Sequence, residues 1–252
     1  MTPEPAGPPM LVSAEFTIEG EDFRLTSRVT VPAGPARVSD LLPVARALSD
    51  AVVRETSQAV EGAGEKVSCK KGCGACCRNL VAISEVEARR IRAVVEQLPE
   101  PRRDTIRARF SEARERLERA GLLDELKAVH RVTSEDYTTL VGTYFQERIA
   151  CPFLEDESCS IYDERPITCR EYLVTSPPEH CARLGSEGVR RVRLPLRVFN
   201  AVARWQVPPP EHFLERWVPL ILAPEWAAAH PDDPPPKPGP ELLRELLDHL
   251  RT

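Results

Sequence analysis

The stretch Cys69-Lys-Lys-Gly-Cys73-Gly-Ala-Cys76-Cys77 sets four cysteines close together, and the segment CPFLEDESCSIYDERPITCREY, which begins at Cys151, adds Cys159 and Cys169. Cys181 follows a short way downstream and completes the chain's 8 cysteines. Thiolates are soft ligands that hold zinc or iron–sulfur clusters, and close spacing lets one short loop supply several of them. The rest of the chain therefore has to fold so that the two blocks meet.

Gly72 and Gly74 punctuate the first block, which suits a loop that wraps a metal, because glycine admits positive φ and lets backbone amides approach closely. Upstream, Val12 to Ile18 and Phe23 to Val31 alternate apolar and polar residues, with Ser27 an exception, around a turn at Glu19-Gly20-Glu21-Asp22. That pattern predicts a β-hairpin. After the breakers Pro32, Gly34 and Pro35, Ser39 or Asp40 caps a helix with Leu41, Val44, Leu48 and Val52 on its inner face and Pro43 in its first turn. It runs out near Gly62 and Gly64.

Between the blocks the chain reads as helical. Ser84-Glu-Val-Glu87 is a capping-box pattern that starts a helix with Ile91, Val94 and Val95 inside, ended by Pro99. Ile106, Phe110, Ala113, Leu117 and Ala120 step by four and three, as on a helix with one packed face. Its arginines are expected to pair along the helix, Glu112 with Arg116 and Glu115 with Arg119, which favours a solvated face over an RNA-binding one. A further helix after Ser134 presents Tyr137, Leu140, Val141, Tyr144 and Phe145 and ends before Cys151.

Beyond the second block, Val192, Leu194, Leu196 and Val198 alternate with Arg193, Pro195 and Arg197, predicting a strand that its proline confines to an edge. The chain past Trp205 is proline-rich, and the six prolines from Pro231 to Pro240 predict an extended linker. Leu242, Leu243, Leu246, Leu247 and Leu250 then form the stripe of an amphipathic helix that docks on the body or on a partner.

With 252 residues, 42% of them hydrophobic, the chain can bury one substantial core. A net charge of −5 removes any global attraction to nucleic acid or an anionic membrane. The opening MTPEPAGPPMLVSAEF lacks a basic leader and an apolar core, and no stretch approaches the roughly 20 apolar residues needed to span a bilayer. A soluble, cytoplasmic protein is expected, in which the cysteines stay reduced and free for metal; an export route would revive disulfides.

The spacing C-x3-C-x2-C of Cys69, Cys73 and Cys76 is also that of radical-SAM enzymes, in which three thiolates hold a cluster with one open iron. That fold needs repeated strand–helix units after the motif, whereas here helices follow directly, and the adjacent Cys77 could close the open position. In the second block Pro152 holds Cys151 extended, the polar turn Glu155-Asp156-Glu157-Ser158 folds Cys159 back toward Cys151, and Pro166 suits the first turn of a helix carrying Cys169.

Taken jointly, CKKGCGACC, CPFLEDESCSIYDERPITCREY and Cys181-Ala182-Arg183 resemble the YkgJ-like cysteine-cluster family, a zinc- or iron-chelating domain with eight characteristic cysteines that includes flagellin lysine N-methylase. The resemblance covers roughly residues 69 to 183. It implies metal binding by Cys69, Cys73, Cys76, Cys77, Cys151, Cys159, Cys169 and Cys181, and a reaction much more weakly. A methylase needs an S-adenosylmethionine site, yet the chain has no strand leading into a glycine-rich turn and helix; Gly62-Ala-Gly64 follows a helix. The long spacings within the second block lack the short knuckles of common zinc sites, and with the Cys-Pro pair they favour an iron–sulfur cluster, zinc being the alternative.

Several residues admit a plainer reading. Cys76 and Cys77 are neighbours whose side chains could diverge, leaving one as a buried hydrophobe, and Cys181 is the most remote thiol. His180 reads as exposed rather than ligating, and His130, His212, His230 and His249 show no ligand spacing. Arg165 and Arg170 either donate to cluster sulfurs or pair with Asp163, Glu164 or Glu171. Tyr162 and Tyr172 read as packing residues, while Lys70, Lys71 and Arg78 put positive charge beside the first block.

The expected architecture is α+β and predominantly helical: a metal-stapled cysteine-cluster domain over residues 38–206, preceded by a β-hairpin appendage at 1–37 and a short additional strand within it, and followed by a linker and amphipathic helix at 207–252. The expected function is a cytoplasmic iron–sulfur protein for redox or cluster-dependent modification of a protein partner. A zinc-stabilised interaction module and an S-adenosylmethionine-dependent lysine methylase are the alternatives. No Ser/His/Asp constellation, phosphate loop or paired-carboxylate motif points to hydrolysis.

Overall fold

The computed structural model describes residues 10–20, 23–183, 188–205, 217–231 and 233–250. The fold is α+β and predominantly helical, with the expected hairpin at its start. Strands β1 (Leu11–Gly20) and β2 (Phe23–Pro32) pair antiparallel from Leu11 opposite Pro32 to Gly20 opposite Phe23. Alternation decides their two faces: Leu25, Val29 and Val31 are buried with Val12, Ala14, Phe16 and Ile18 packed beside them. The other face carries cross-strand pairs, Ser13 with Thr30 (3.1 Å), Thr17 with Thr26 (3.0 Å) and Arg28 with Glu15 (3.2 Å). Glu21 and Asp22 of the expected turn lie outside the described residues, as do the prolines that follow Trp205 and His212.

After β3 (Pro35–Ala36), helix α1 (Val38–Gly62) buries Leu41, Leu42, Ala45, Leu48 and Val52 in the larger core. Asp40 caps it from inside the first turn by accepting from Arg37 N (2.8 Å), so Pro43 sits deeper in the helix than expected, on its exposed side. Gly64, at φ +83°, turns the chain away beyond its end.

Strand β4 (Ala82–Ser84) runs into α2 (Glu85–Gln97) through the predicted capping box, and α3 (Arg102–Arg119) buries Ile106, Phe110, Ala113 and Leu117. The arginines of α3 do not form the two expected ladders along the helix. Arg116 donates to the carbonyl of Glu147, Arg119 reaches the backbone of Glu115 rather than its carboxylate (3.4 Å), and Arg114 bridges Glu118 and Glu225 (both 3.2 Å). Tertiary acceptors compete at Arg116 and Arg114 because these long side chains reach neighbouring elements as easily as the next turn.

The chain continues through α4 (Leu123–Lys127), α5 (Ser134–Gln146), the small hairpin β5 (Leu154–Glu155) and β6 (Ser158–Cys159), and α6 (Ile167–Glu171). The predicted strand at Val192–Val198 is absent. Val192 N reaches Leu173 O (2.9 Å) and an isolated bridge joins Val174 to Arg191, but Val198 opens helix α7 (Val198–Ala203). Pro195 has no N–H to extend the ladder, and the carboxylate of Glu171 accepts from Val198 N (2.6 Å) and Phe199 N (3.2 Å), so a distant cap converts the alternating stretch into a helix start.

The remaining elements fold back on the body. β7 (Trp217–Pro219) pairs with β4, α8 (Ala223–Ala229) packs on α2, β8 (Lys237–Pro238) pairs with β3, and α9 (Gly239–Leu250) lays Leu242, Leu243, Leu246 and Leu250 on the core. The proline-rich stretch before α9 thus ends in a strand pair, and the final helix docks on the body, where Leu242 O accepts from Trp205 Nε1 (3.1 Å). Among the described residues no helix is long and apolar enough to cross a membrane, and every strand pair is two-stranded and antiparallel.

Gly239 marks the tightest crossing, since a Cβ there would lie 2.0 Å from Pro32 O, whereas one on Gly142 in α5 would meet nothing within 4 Å. Gly239→Ala should lower stability in urea titration by about 1–3 kcal/mol. Gly142→Ala should raise it by about 0.5–1 kcal/mol.

Candidate metal centre

Four separate segments deliver the cysteines. The first block leaves α1 as a loop anchored by Ser68 N to Val174 O (2.8 Å) and by turns from Cys73 N to Lys70 O (3.2 Å) and Cys77 N to Gly74 O (3.0 Å). Gly72 adopts φ +89°, as its place in the tight turn requires. Gly74 serves differently: a Cβ there would lie 2.5 Å from Leu154 Cδ1 and 2.6 Å from Glu157 O, so only glycine lets the loop lie on the β5–β6 hairpin.

That hairpin is the predicted polar turn, with Asp156 and Glu157 at φ +48° and +56° and Leu154 opposite Cys159. Three contacts besides Gly74 join it to the first block. Cys151 N donates to Cys77 O (2.7 Å), and Arg78 grips Glu157 with two bonds of 3.0 and 2.6 Å. Bidentate guanidinium–carboxylate pairing fixes orientation as well as distance.

Cys169 comes from α6, whose position depends on Glu87. This residue is 1% exposed; its Oε2 accepts from Ser84 N (3.0 Å) and Ser84 Oγ (2.7 Å), and its Oε1 accepts from Ile167 N (2.7 Å). One carboxylate therefore caps α2 and α6 together, and Pro166 occupies the cap position of α6 rather than its first turn. Thr168 Oγ1 donates to Ala82 O (2.7 Å) and tightens the same junction. Arg170 turns away from the sulfurs to Asp50 (2.8 and 2.7 Å), Arg165 O (3.0 Å) and Asp163 O. Glu164, in the segment between Cys159 and Cys169, is held by Arg46 (2.6 Å) and Arg90 (2.9 Å).

Cys181 lies in a single 3-10 turn, Pro178–Ala182, whose Ala182 O accepts from Arg148 (2.8 Å), and it is the one buried cysteine among seven half-buried ones. His180 beside it is half-buried, not exposed: a Cβ on Gly188 would stand 2.3 Å from its Nδ1. The two tyrosines are more than packing residues. Cys69 Sγ faces Tyr172 O at 3.6 Å, the Tyr172 hydroxyl hydrogen-bonds Cys181, and Arg191 lies over the Tyr172 ring (5.0 Å). Tyr162 lies between Lys71 of the first block (5.2 Å) and Arg165 of the second (4.0 Å).

All eight thiols are free, and each is coupled electrostatically to at least one other. Cys76 is the common member: its charge is felt by Cys69 and Cys181 on one side and by Cys151, Cys159 and Cys169 on the other, while Cys73 acts on Cys69 and Cys181. A hydrogen bond that the Cys76 thiol gives to Cys77, and then burial, push the Cys76 thiol up; burial first raises Cys69, Cys159, Cys169 and Cys181, and takes Cys151 to about 12. These shifts favour the protonated form of those six thiols, and metal binding has to displace their protons.

Among the described residues no group of three or more Cys, His, Asp or Glu side chains stands in ligating geometry. The donor set nevertheless suits a thiophilic metal, being all thiol with the cation of Arg165 acting on Cys76 and Cys159. Two polar atoms beside Cys159, Ser160 Oγ and Arg165 Nε, are buried with no hydrogen-bond partner among the described residues, so donors stand ready for acceptors that neutral thiols supply poorly. Sequence reasoning located the cysteines but missed the second cap made by Glu87, whose capping-box signature reveals only its local role.

Comparison with known proteins places this arrangement. Residues 68–184 match the family model CxxCxxCC, a "putative zinc- or iron-chelating domain". The match takes in all eight cysteines and somewhat under half of the chain, and it supports a metal-chelating cysteine cluster. No curated protein and no solved structure matches the chain.

Glu87→Ala should strand buried N–H groups at Ser84 and Ile167, lowering stability in urea titration by about 1–3 kcal/mol for each stranded group and speeding alkylation of Cys169. Arg90, then Arg46, lower Glu164 to about 2. The stabilisation from this depressed carboxylate is complete above the ordinary value of about 4.3 and is lost as pH falls toward about 2. Glu164→Gln should therefore be less stable than wild type at neutral pH and lose less on acidification, by a margin kept small because the side chain is 37% exposed.

Proposed function

We propose that this protein holds an iron–sulfur cluster through thiols of Cys69, Cys73, Cys76, Cys77, Cys151, Cys159, Cys169 and Cys181, and uses it for electron transfer or for cluster-dependent modification of a protein partner. The observation that supports the reading is the electrostatic coupling of Cys76 with Cys69, Cys77, Cys151, Cys159, Cys169 and Cys181, free thiols delivered by four chain segments. A bound cluster would supply one-electron redox chemistry. The chain's own residues give the site its setting: Arg165 and Arg191 lower the cost of ionised sulfur at Cys76, Cys159 and Cys181, and buried Phe153 and Ile161 line its inner side in the core cluster against which Cys151 and Cys159 pack. A reducing, cytoplasmic setting suits eight unpaired thiols.

Zinc is the second reading, favoured by the nature of the segments. The loop 69–77, the two-residue strands β5 and β6 and the turn holding Cys181 have little regular structure of their own, which is what a tetrathiolate staple organises. The protein would then be an interaction module in which the metal holds the fold together. The methylase reading draws no support from the sheets of the described residues, which are two-stranded and antiparallel, unlike the parallel sheets whose switch points hold nucleotide-like cofactors.

Purification without oxygen, followed by metal and acid-labile sulfide analysis and a visible spectrum, separates these readings. The expected product is coloured, with iron and sulfide in comparable amounts. A colourless protein with stoichiometric zinc would replace the first reading by the second, and chelation should then unfold the cluster region cooperatively. Protein that takes up neither metal would overturn both.

A further inference from the structure

We propose that Arg165 is the positioning residue of the centre: its Nε–H donates a hydrogen bond to a cluster sulfur once metal binding has ionised the thiols. The inference rests on the metal-binding reading above and adds a role for a residue that is not itself a ligand. The Arg165 guanidinium lies 4.0 Å over the Tyr162 ring, and its Nε is buried with no hydrogen-bond partner among the described residues. A buried donor without an acceptor is unfavourable, and such groups in folded proteins commonly mark a ligand or a functional state.

The neighbourhood offers sulfur. Arg165 acts electrostatically on Cys76 of the first block and Cys159 of the second, favouring the thiolate of each. Neutral thiols are weak acceptors, whereas a metal-bound thiolate is anionic and accepts strongly, so the same N–H is idle in one state and bonded in the other. The segment is held for this purpose: Arg165 O accepts from Arg170 Nε (3.0 Å), and Pro166 fixes the next φ at −57°. Arg170 makes the contrast, because its own nitrogens already serve Asp50, Asp163 O and Arg165 O. Lys71 approaches the same Tyr162 ring at 5.2 Å, so cations from both blocks meet on one aromatic side chain.

Competition titration of the full chain with zinc or cobalt(II), made without oxygen, tests this on wild type, Arg165→Gln, Arg165→Lys and the hairpin control Arg24→Gln. Arg165→Gln should bind about 10–100-fold more weakly and shift the cobalt–thiolate charge-transfer band, with metal-free thermal stability and total thiol count unchanged. Arg165→Lys keeps the charge without the guanidinium fork and should lose less, and Arg24→Gln should match wild type. Wild-type affinity and an unshifted band in Arg165→Gln would overturn the proposal, as would an affinity loss fully matched by lost stability of the metal-free protein. Should Arg165→Gln fail to fold, an unchanged affinity and band in Arg165→Lys would overturn it instead. A wild-type chain with no cobalt–thiolate band would sink the metal-binding reading itself, which separates that failure from this one.

Discussion

The centre depends on one buried carboxylate, Glu87, whose two oxygens serve different helices. Oε2 closes the capping box of α2 and Oε1 takes the first free N–H of α6, so the starts of both helices are drawn to one point. A carboxylate tolerates 1% exposure there because helix N-termini present unsatisfied N–H groups and the positive end of a dipole. The geometric result is what matters for the site. Cys76 and Cys77 lie just before β4 and α2, Cys169 lies two residues into α6, and one side chain sets the distance between them.

The same device recurs along the second block. Glu171 takes Val198 N and Phe199 N at the start of α7 and pairs with Arg197 (3.0 Å), Arg170 ties α6 to Asp50 of α1, and Glu164 joins Arg46 of α1 to Arg90 of α2. Each of these pairs has at least one partner about a third to a half exposed, so they add little net stability, solvent screening and desolvation both opposing the attraction. They do penalise misregistration heavily, because a displaced partner leaves a stranded charge. A region made of loops and two-residue strands gains from such clamps the definition that it cannot get from a hydrogen-bonded ladder.

Features with a local cause were legible in the sequence. The hairpin followed from alternation, α2 from Ser84-Glu-Val-Glu87, the buried stripe of α3 from its four-and-three spacing, and the β5–β6 turn from Glu155-Asp156-Glu157-Ser158. What failed had a distant cause. Val192–Val198 alternates like a strand, but the cap on Val198 comes from Glu171, and no window around residue 195 contains it. Arg116 had a glutamate in helical register and found the Glu147 carbonyl instead. Gly74 read as a glycine that permits close approach, but the partners it approaches, Leu154 and Glu157, lie some eighty residues away and no local pattern names them. The cysteines themselves were plain from spacing, while the residues that hold them in place were visible only through contacts between the blocks.

The thiols also occupy a mechanical boundary. Cys69 packs against the larger core, built around α1, α7, α9 and β2, whereas Cys151 and Cys159 pack against the smaller one, built around α2, α3, Phe153 and Ile161. Cys76 couples to members of both groups. Close-packed clusters move as units, so a small displacement of one against the other changes sulfur separations across the seam before it disturbs either interior. Metal–thiolate bonds vary little in length, so a bound metal resists such displacement and stiffens the junction in return. Seven of the eight cysteines are half-buried at this seam, whereas the carboxylates of Glu87 and Glu171 that hold the surrounding helices stay dry.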